Sequence, residues 1–353
     1  MERINWGILG TASIVRKKFL PALEKAENAR IYALASRSQE RAEKFLQEYA
    51  SKNREKSYGS YEKLLQDDNI EAIYIPLPNH LHFEWAKKSL QAGKHVLCEK
   101  PLVMSVKEGE ELFQLAEEQD VFLMEGFMYR FRPLTQRVIE LARRELGEIR
   151  LVRGSFCYQS TRPAKDIRFR SAAGGGALRD VGCYLVDFIS RLFKCRPDLA
   201  YNQTVQSARG DVDGQGSAVL VYHGHSEEGT ADTDSSLKLD TSTHVNLAYS
   251  ITIPGSKSLE IVGSEGRLVA DEFFDWRTKG SRYIRLEKSS EVNEITLPAC
   301  DQFKNEIEYF SRMASEWPAG IKEAAISSQE SLNNLAILDA LEASAQRGQA
   351  VEI

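Results

Sequence analysis

The sequence has no surplus of positive charge and no long apolar run, and each absence excludes a class of protein. There are 46 Lys and Arg against 51 Asp and Glu, a net charge of -5 at pH 7, whereas nucleic-acid binding needs a clustered basic excess. No apolar stretch reaches the roughly 18 residues of a membrane-spanning helix. Residues 1–6 lead into a strand-like segment without a signal-peptide pattern. We expect a cytoplasmic protein that binds neither nucleic acid nor membrane.

Cysteine is also scarce. The five cysteines are Cys98, Cys157, Cys183, Cys195 and Cys300. Their number is odd and none form a CxxC pair, which argues against a disulfide framework or a structural zinc site. We expect reduced thiols that are buried in packing, and we predict no metal.

Short apolar runs alternate with helical patterns up to residue 125. Strands are predicted over residues 4–9, 30–35, 70–76, 95–98 and 121–124, and helices over 13–26, 39–49, 81–92 and 106–118. This alternation predicts an α/β domain with a parallel sheet covered by helices on both faces. Because 353 residues exceed the usual size of one core, we assign residues 1–125 to a first domain.

The pattern changes over residues 126–353, which we assign to a second, α+β domain. Helices are predicted over 133–145 and 329–346, and strands over 217–222, 245–253, 259–262, 267–270, 283–286 and 294–297. Clustered strands predict a mostly antiparallel sheet. In the strand over 245–253, Val245, Leu247, Tyr249, Ile251 and Ile253 alternate with polar or small residues, which predicts one covered face.

An acidic segment over residues 224–243 lies between two predicted strands, and we interpret it as a long solvated hairpin loop. His223, His225 and His244 flank it. A metal site built from these histidines and the acidic residues is the alternative interpretation.

A glycine turn joins the first predicted strand to the first predicted helix. Gly10 takes the first position of the pattern GxGxxG, while Ala12 and Val15 replace the other two glycines. Such a turn lets the backbone approach a pyrophosphate, and the helix N-terminus supplies N–H donors. A plain strand–helix turn is the alternative. The predicted cofactor contacts here are Gly10, Thr11, Ala12, Ser13 and Ile14.

No acidic residue follows the second predicted strand, where NAD-selective sites place Asp or Glu against the ribose hydroxyls. The chain has Ser36, Arg37 and Ser38 instead. Arg37 can pair with a 2′-phosphate, and the serines can add hydroxyl donors. We therefore predict NADP(H) as the cofactor; the alternative is that Arg37 is a surface charge at the start of a helix.

Two local clusters are candidates for catalysis. Glu99 and Lys100 lie at the carboxyl end of a predicted parallel strand, the edge at which open α/β sheets bind ligands. Hydride transfer needs a proton donor or base, which a partly desolvated Lys can supply. Asp180 and Tyr184 follow three glycines and lie four residues apart on one predicted helix face. We predict that Lys100, Tyr184 and Asp180 are catalytic; a solvated lysine and a packed tyrosine are the alternatives.

Together these segments resemble the glucose–fructose oxidoreductase, inositol dehydrogenase and MocA family. The likeness covers nearly the whole chain and depends on residues 6–12, 78–82, 92–101, 124–131 and 174–184. It implies a Rossmann domain followed by a domain with a large open sheet, with a site between them. It also implies that Lys100 is the acid/base residue and that Asn79, His82 and Glu99 lie near the nicotinamide ribose. Pro76, Leu77 and Arg168 complete the predicted cofactor contacts.

The residue at position 184 narrows the resemblance. Many inositol dehydrogenase-like members have His there. With Tyr184, this chain instead resembles the branch that contains dimeric dihydrodiol dehydrogenase and NADP-dependent xylose dehydrogenases. Residues 166–169 and 301–303 are similar to ketoreductases of nucleotide-linked deoxysugars. The implied activity is NADP(H)-dependent oxidation or reduction at a carbon of a small sugar-like substrate, and the alternatives are a nucleotide-sugar ketoreductase and a non-catalytic NADP(H) sensor. We also expect a homodimer or homotetramer formed through the second sheet.

Overall fold

The computed structural model describes residues 3–49, 55–223, 239–275, 280–289, 291–318 and 325–353. Its strands, numbered in chain order, are β1 (Ile4–Leu9), β2 (Ala29–Ala35), β3 (Lys56–Tyr58), β4 (Ala72–Ile75), β5 (His95–Glu99), β6 (Leu123–Gly126), β7 (Ile149–Cys157), β8 (Leu199–Gln206), β9 (Asp213–His223), β10 (Leu239–Ser250), β11 (Leu259–Gly263), β12 (Arg267–Ala270), β13 (Ser281–Lys288), β14 (Glu291–Pro298) and β15 (Val351–Glu352).

Helices connect and cover these strands. The α-helices are α1 (Leu20–Leu23), α2 (Gln39–Tyr49), α3 (Tyr61–Leu65), α4 (His82–Gln91), α5 (Val106–Glu118), α6 (Pro133–Glu145), α7 (Cys183–Phe193), α8 (Gln302–Glu316) and α9 (Ser328–Arg347). Short 3₁₀ turns lie at Asn79–Leu81, Met128–Phe131, Ile167–Phe169 and Ser171–Ala173. Two π-helical segments, Val15–Phe19 and Leu178–Gly182, precede α1 and α7.

The first compact unit comprises Met1–Phe131 and Asp301–Ser331. Its sheet has the order β3-β2-β1-β4-β5-β6 with parallel pairing throughout. The central strands are buried because helices cover both faces; Trp6, Ile8 and Ile73 are fully inaccessible to solvent. This strand order is that of a dinucleotide-binding fold, so the predicted Rossmann domain is confirmed.

Helix α8 returns to this first unit from late in the chain. The indole N–H of Trp6 on β1 donates to Ser311 Oγ on α8 over 3.0 Å, and its ring lies 4.9 Å from that of Phe310. The buried Phe303, Ile307 and Phe310 follow the helical period. The predicted division into residues 1–125 and 126–353 is therefore corrected, because the first unit also includes α8 and its first segment extends to Phe131.

The second unit comprises Arg132–Cys300 and Leu332–Ile353. Its nine-stranded sheet has the order β14-β13-β12-β11-β7-β10-β9-β8-β15. Among the described strands of this second sheet, only β10 and β7 pair in parallel. The predicted mostly antiparallel sheet is thus confirmed. Val245, Leu247 and Tyr249 are buried along one face of β10, while Asn246 between them is exposed.

The structure corrects two details of strand β10. Ile253, predicted to share the covered face, is 44% exposed because the strand ends at Ser250. At its other end the strand includes residues 239–243, which were predicted as loop; Ser242 pairs with His223 and so continues the hairpin ladder. The rest of the predicted loop, including His225, lies outside the described residues.

Three of the five cysteines are buried as predicted. Cys98, Cys157 and Cys183 are buried, whereas Cys195 and Cys300 are partly exposed, and none of the five is joined in a disulfide. In the described ranges, no helix is both long and apolar enough to cross a membrane.

Candidate functional site

The turn after β1 is built tightly around Gly10. Its φ of +102° lies in the left-handed region that favours glycine, and its N–H donates to the carbonyl of Ala35 over 2.8 Å. A Cβ at this position would lie 3.0 Å from Leu77 Cδ2. Position 10 therefore requires glycine, as does the first position of the turns that bind a dinucleotide pyrophosphate.

The residues that follow Gly10 form the exposed start of the first helix. Thr11, Ala12 and Ile14 are partly exposed and Ser13 is exposed. Val15, which replaces the third glycine of the pattern, is fully buried and begins the π-helical segment. Such π turns are frequent at functional sites, and nothing in the sequence pattern indicates this one.

Two of the three residues after β2 are exposed at the same edge. Arg37 and Ser38 are exposed, whereas Ser36 is only 2% exposed. The Ser38 hydroxyl accepts the backbone N–H of Arg41 over 3.3 Å at the start of α2. Of the predicted phosphate contacts here, the Ser36 side chain is thus the least accessible.

Arg41 is a candidate cofactor residue that was not predicted from the sequence. Its Nε donates to Thr11 Oγ1 over 2.9 Å, which brings a second guanidinium to the Gly10 turn. Burial raises the pKa of Tyr61, and the positive charges of Arg37 and Arg41 oppose that shift, so both cations lie near this phenol. Arg37 lies just before α2 and Arg41 lies in its first turn, and their proximity in the sequence is the signal that could have revealed the pair.

His82 is a correction to the predicted cofactor contacts. It is fully buried, with Nδ1 2.8 Å from the carbonyl oxygen of Pro101 and Nε2 2.8 Å from that of Leu77. Burial lowers its pKa, against the opposing effect of the two carbonyls. Because both ring nitrogens are engaged by the protein, His82 joins the segment after β4 to the segment after β5 instead of facing a ligand.

The ends of β4 and β5 bring three predicted residues to one sheet edge. These strands are paired neighbours, and the partly exposed Asn79, Glu99 and Lys100 follow or end them. Glu99 Oε1 accepts a hydrogen bond of 2.6 Å from the hydroxyl of Tyr74. Pro76 and Leu77, at the same edge, are buried, and the carbonyl oxygen of Leu77 lies 2.8 Å from His82 Nε2, so neither of these predicted contacts presents an exposed side chain.

A buried carboxyl group lies near this edge and was also missed. Glu306 on α8 is 2% exposed, and its Oε1 has no hydrogen-bond partner. Burial, and secondarily the negative charge of Glu99, raise its pKa well above the usual range. Its position at this edge could not be predicted from the sequence, because no helix was predicted over the residues of α8.

In the second unit, Asp180 is held by two side chains. The hydroxyl of Tyr158, at the end of β7, donates to Asp180 Oδ2 over 2.6 Å. Arg168 Nε lies 3.2 Å from Asp180 Oδ1, and Arg168 Nη1 lies 3.1 Å from Asp166 Oδ1. Arg168, predicted to contact the cofactor, thus pairs with two carboxylates, and the charge of Asp180 is the main reason that its pKa is raised.

Tyr184 follows immediately after the π-helical segment that contains Asp180. It is 3% exposed, and its ring packs edge-on against Phe156 at 5.4 Å and Phe274 at 6.4 Å. The predicted single α-helical face is corrected to a π segment followed by α7. The ring of Tyr184 is therefore fixed by aromatic packing.

Asp213 on β9 holds the start of this helical segment. Its Oδ2 accepts the backbone N–H of Leu178 over 2.8 Å. Gly176 has a φ of +114°, and a Cβ there would collide with Asp213, so the glycine lets the carboxylate approach the helix start. Burial raises the pKa of Asp213 to about 6.

Family models match most of the chain. An oxidoreductase family with an NAD-binding Rossmann fold matches residues 4–127, and the Gfo/Idh/MocA C-terminal domain matches residues 136–269. The chain belongs to this family. The predicted family is thereby confirmed, and so is the predicted class of enzyme, an oxidoreductase. In the described residues, no group of three or more His, Cys, Asp or Glu side chains could hold a metal ion.

Individual relatives cover the full length. A D-xylose 1-dehydrogenase (NADP⁺) of Haloferax volcanii is 35% identical over 99% of both chains. A dTDP-3,4-didehydro-2,6-dideoxy-α-D-glucose 3-reductase of Actinomadura kijaniata is 30% identical over 97% of this chain and 96% of its own. A crystal structure of a 3-ketoreductase from the same organism, with NADP and TDP-benzene, has a TM-score of 0.80 at 30% identity and covers 97% and 98% of the two chains.

Proposed function

We propose that the protein is an NADP(H)-dependent oxidoreductase that interconverts a hydroxyl and a carbonyl group of a sugar or a sugar-like diol. The observation that carries the proposal is the edge of the parallel sheet. There the Gly10 turn, the exposed Arg37 and Arg41, and the partly exposed Lys100 follow strands of one sheet. NADP-dependent relatives over the full length support it.

The first unit has the groups that NADP(H) requires. Gly10 and the helix start would hold the pyrophosphate, and Arg37 and Arg41 would pair with the 2′-phosphate. Asn79 and Glu99 would lie by the nicotinamide ribose, with Glu99 oriented by its hydrogen bond from Tyr74. When bound, the cofactor supplies or accepts the hydride.

Lys100 is the proton exchanger in this proposal. In reduction its ammonium group donates a proton to the carbonyl oxygen as that oxygen gains negative charge, and in oxidation its neutral amine accepts the proton. Tyr184 donates a hydrogen bond to the same oxygen, and Asp180 accepts one from a neighbouring substrate hydroxyl. His82 keeps the peptide after Lys100 in place through the Pro101 carbonyl.

A nucleotide-sugar ketoreductase is the second candidate, and it is favoured by the ketoreductase relative and by the neighbour that holds TDP-benzene. The charges around Asp180 support the simple sugar instead. Arg162 and Arg168 both pair with Asp166, and Arg168 pairs with Asp180 as well. A diphosphate would have to compete with these carboxylates for the arginines. The non-catalytic sensor is disfavoured because a sensor needs neither Lys100 nor Tyr184.

We further propose a homodimer or homotetramer formed through the sheet of the second unit, in the cytoplasm. Residues of β7 to β12 line an open cavity of about 650 Å³ on this sheet. Large apolar side chains are exposed on the sheet, among them Tyr283 at 52% and Val292 at 63%. The five cysteines, none of which is joined in a disulfide, support a reducing compartment. Sedimentation that shows a monomer at micromolar concentration would contradict the oligomer.

The proposed activity is tested by following NADPH and NADH absorbance with a panel of pentoses, hexoses, diols and their keto forms, in both directions. We expect turnover of at least one uncharged polyol with NADP(H), and much weaker turnover with NAD(H). Activity only with nucleotide-linked keto sugars would support the second candidate. Tight NADPH binding without turnover of any compound would support the sensor.

A further inference from the structure

Tyr158 is absent from every motif of the sequence analysis, yet it makes one of the shortest hydrogen bonds at the candidate site. Its hydroxyl donates to Asp180 Oδ2 over 2.6 Å. Burial and the neighbouring negative charge of Asp180 raise its pKa far above that of a free phenol. The phenol is therefore protonated at neutral pH and donates its hydrogen bond to this carboxylate.

Arg168 holds the other oxygen of the same carboxylate. Its Nε lies 3.2 Å from Asp180 Oδ1, while its Nη1 pairs with Asp166 Oδ1 at 3.1 Å. Asp166 in turn accepts the backbone N–H of Arg168 over 3.1 Å and so fixes the arginine. Two donors on different oxygens restrain the rotation of the Asp180 carboxylate more than one donor could.

The restrained carboxylate still reaches solvent. The Asp180 side chain is 15% exposed and that of Arg168 is 28% exposed. Each carboxylate oxygen has two lone pairs, so the bonds to Tyr158 and Arg168 do not by themselves saturate Asp180, and the same carboxylate can accept a ligand hydroxyl. An ionised acceptor of this kind selects a neutral donor, such as a sugar hydroxyl, over an anionic group.

We propose that Tyr158 is a positioning residue for substrate recognition. Its hydroxyl, together with Arg168, orients Asp180 so that the carboxylate accepts a hydrogen bond from one particular hydroxyl of the polyol. This inference depends on the proposed function, and it adds a residue and a source of substrate specificity that the motifs do not contain.

The test compares Tyr158→Phe with wild type, using NADP(H), the best sugar of the panel, and deoxy analogues that each lack one hydroxyl. Tyr158→Phe keeps the ring and removes one donor to a charged acceptor, so kcat/KM for the full sugar should fall about 10-fold or more. The fall should appear mainly in KM, and the Kd of NADPH should not change.

One deoxy analogue should respond differently. For the analogue that lacks the hydroxyl recognised by Asp180, Tyr158→Phe should change kcat/KM less than threefold. The hydrogen bond between that hydroxyl and Asp180, which Tyr158 supports, is already absent in this analogue. A structural defect would lower kcat/KM for every analogue alike.

Tyr58→Phe is the matched control. The hydroxyl of Tyr58 also donates to a carboxylate over 2.6 Å, that of Asp67 in the first unit. We expect this variant to bind and turn over the sugar as wild type does. The inference is overturned if Tyr158→Phe behaves like Tyr58→Phe, or if all analogues lose equally, while the wild type is active. A wild type that is inactive on the whole panel would overturn the proposed function and this inference together.

Discussion

The two units present candidate functional residues in different ways. In the first unit they follow consecutive strands of a parallel sheet: Gly10 after β1, Arg37 after β2 and Lys100 after β5. Their common edge follows from the direction of the strands alone. In the second unit, Asp180 depends on Tyr158, 22 residues earlier, and on Arg168.

This difference separates two kinds of residue. Strand direction places a backbone turn or a lysine without help from distant side chains, so short motifs suffice to find it. A carboxylate whose orientation depends on a phenol and a guanidinium requires the folded network. We therefore expect substitutions in the first unit to affect cofactor binding or chemistry, and those around Asp180 to affect the choice of substrate.

Lys100→Met should produce the largest effect, and it is the sharpest test of the difference between the first and second units. Methionine keeps an unbranched side chain but removes the exchangeable proton. Because general acid–base catalysis is worth about 10²–10⁴-fold, we expect kcat to fall by that factor with the Kd of NADPH nearly unchanged. Stopped-flow kinetics and NADPH fluorescence titration measure the two. Turnover within a few-fold of wild type would assign the proton to another group.

Phe310→Ala tests whether α8 belongs to the first unit. The ring is fully buried and lies 4.9 Å from Trp6 and 5.1 Å from Phe122. Its removal should lower the free energy of unfolding by about 3–5 kcal/mol, measured by urea denaturation. Lys44→Ala, at an exposed side chain on α2, is the control and should change stability by less than about 0.5 kcal/mol. Similar values for both would contradict the packing of α8.

These regions also show how far the sequence could predict the molecule. The predicted bounds of α2, α5 and α6 agree with the structure because their apolar periodicity is regular and their ends are marked. Strand β7, at the centre of the second sheet, was not predicted because its buried and exposed residues do not alternate regularly. Ile149 and Val152 are buried, and Arg150 is exposed.

The same limit applies within the candidate site. Gly10 and Lys100 could be found from local patterns, because each occupies a fixed place after a strand. The role of His82 could not, because the two carbonyls that it contacts belong to Leu77 and Pro101, on separate segments. Tyr158 and Glu306 escaped for the same reason: their significance depends on neighbours that only the fold supplies.

Arg37→Ala and Arg41→Ala should have intermediate effects and test the edge after β2. Each guanidinium would make charge-assisted bonds to the 2′-phosphate, so each loss should weaken NADPH binding by about 1.5–3 kcal/mol. NADH binding should change much less. Isothermal titration with both cofactors gives the ratio. A wild type that binds NADH more tightly than NADPH would contradict the predicted preference, and an effect of Arg37 alone would exclude Arg41 from the site.

Asp213→Asn should have the smallest effect, on the pH dependence of stability. Burial raises the pKa of Asp213 to about 6 in the folded protein, above the value of roughly 4 expected when unfolded. At pH values between these two pKa values, the folded state thus binds a proton at Asp213 that the unfolded state lacks. Asp213 therefore stabilises the fold at low pH, and this stabilisation is lost as pH rises through 6. Asparagine cannot titrate, yet its oxygen can still accept the N–H of Leu178. The stability of wild type relative to Asp213→Asn should therefore increase from pH 7 to pH 5 in urea titrations. A difference that is constant or decreases over this range would show that the bond to Leu178 outweighs burial and keeps Asp213 ionised.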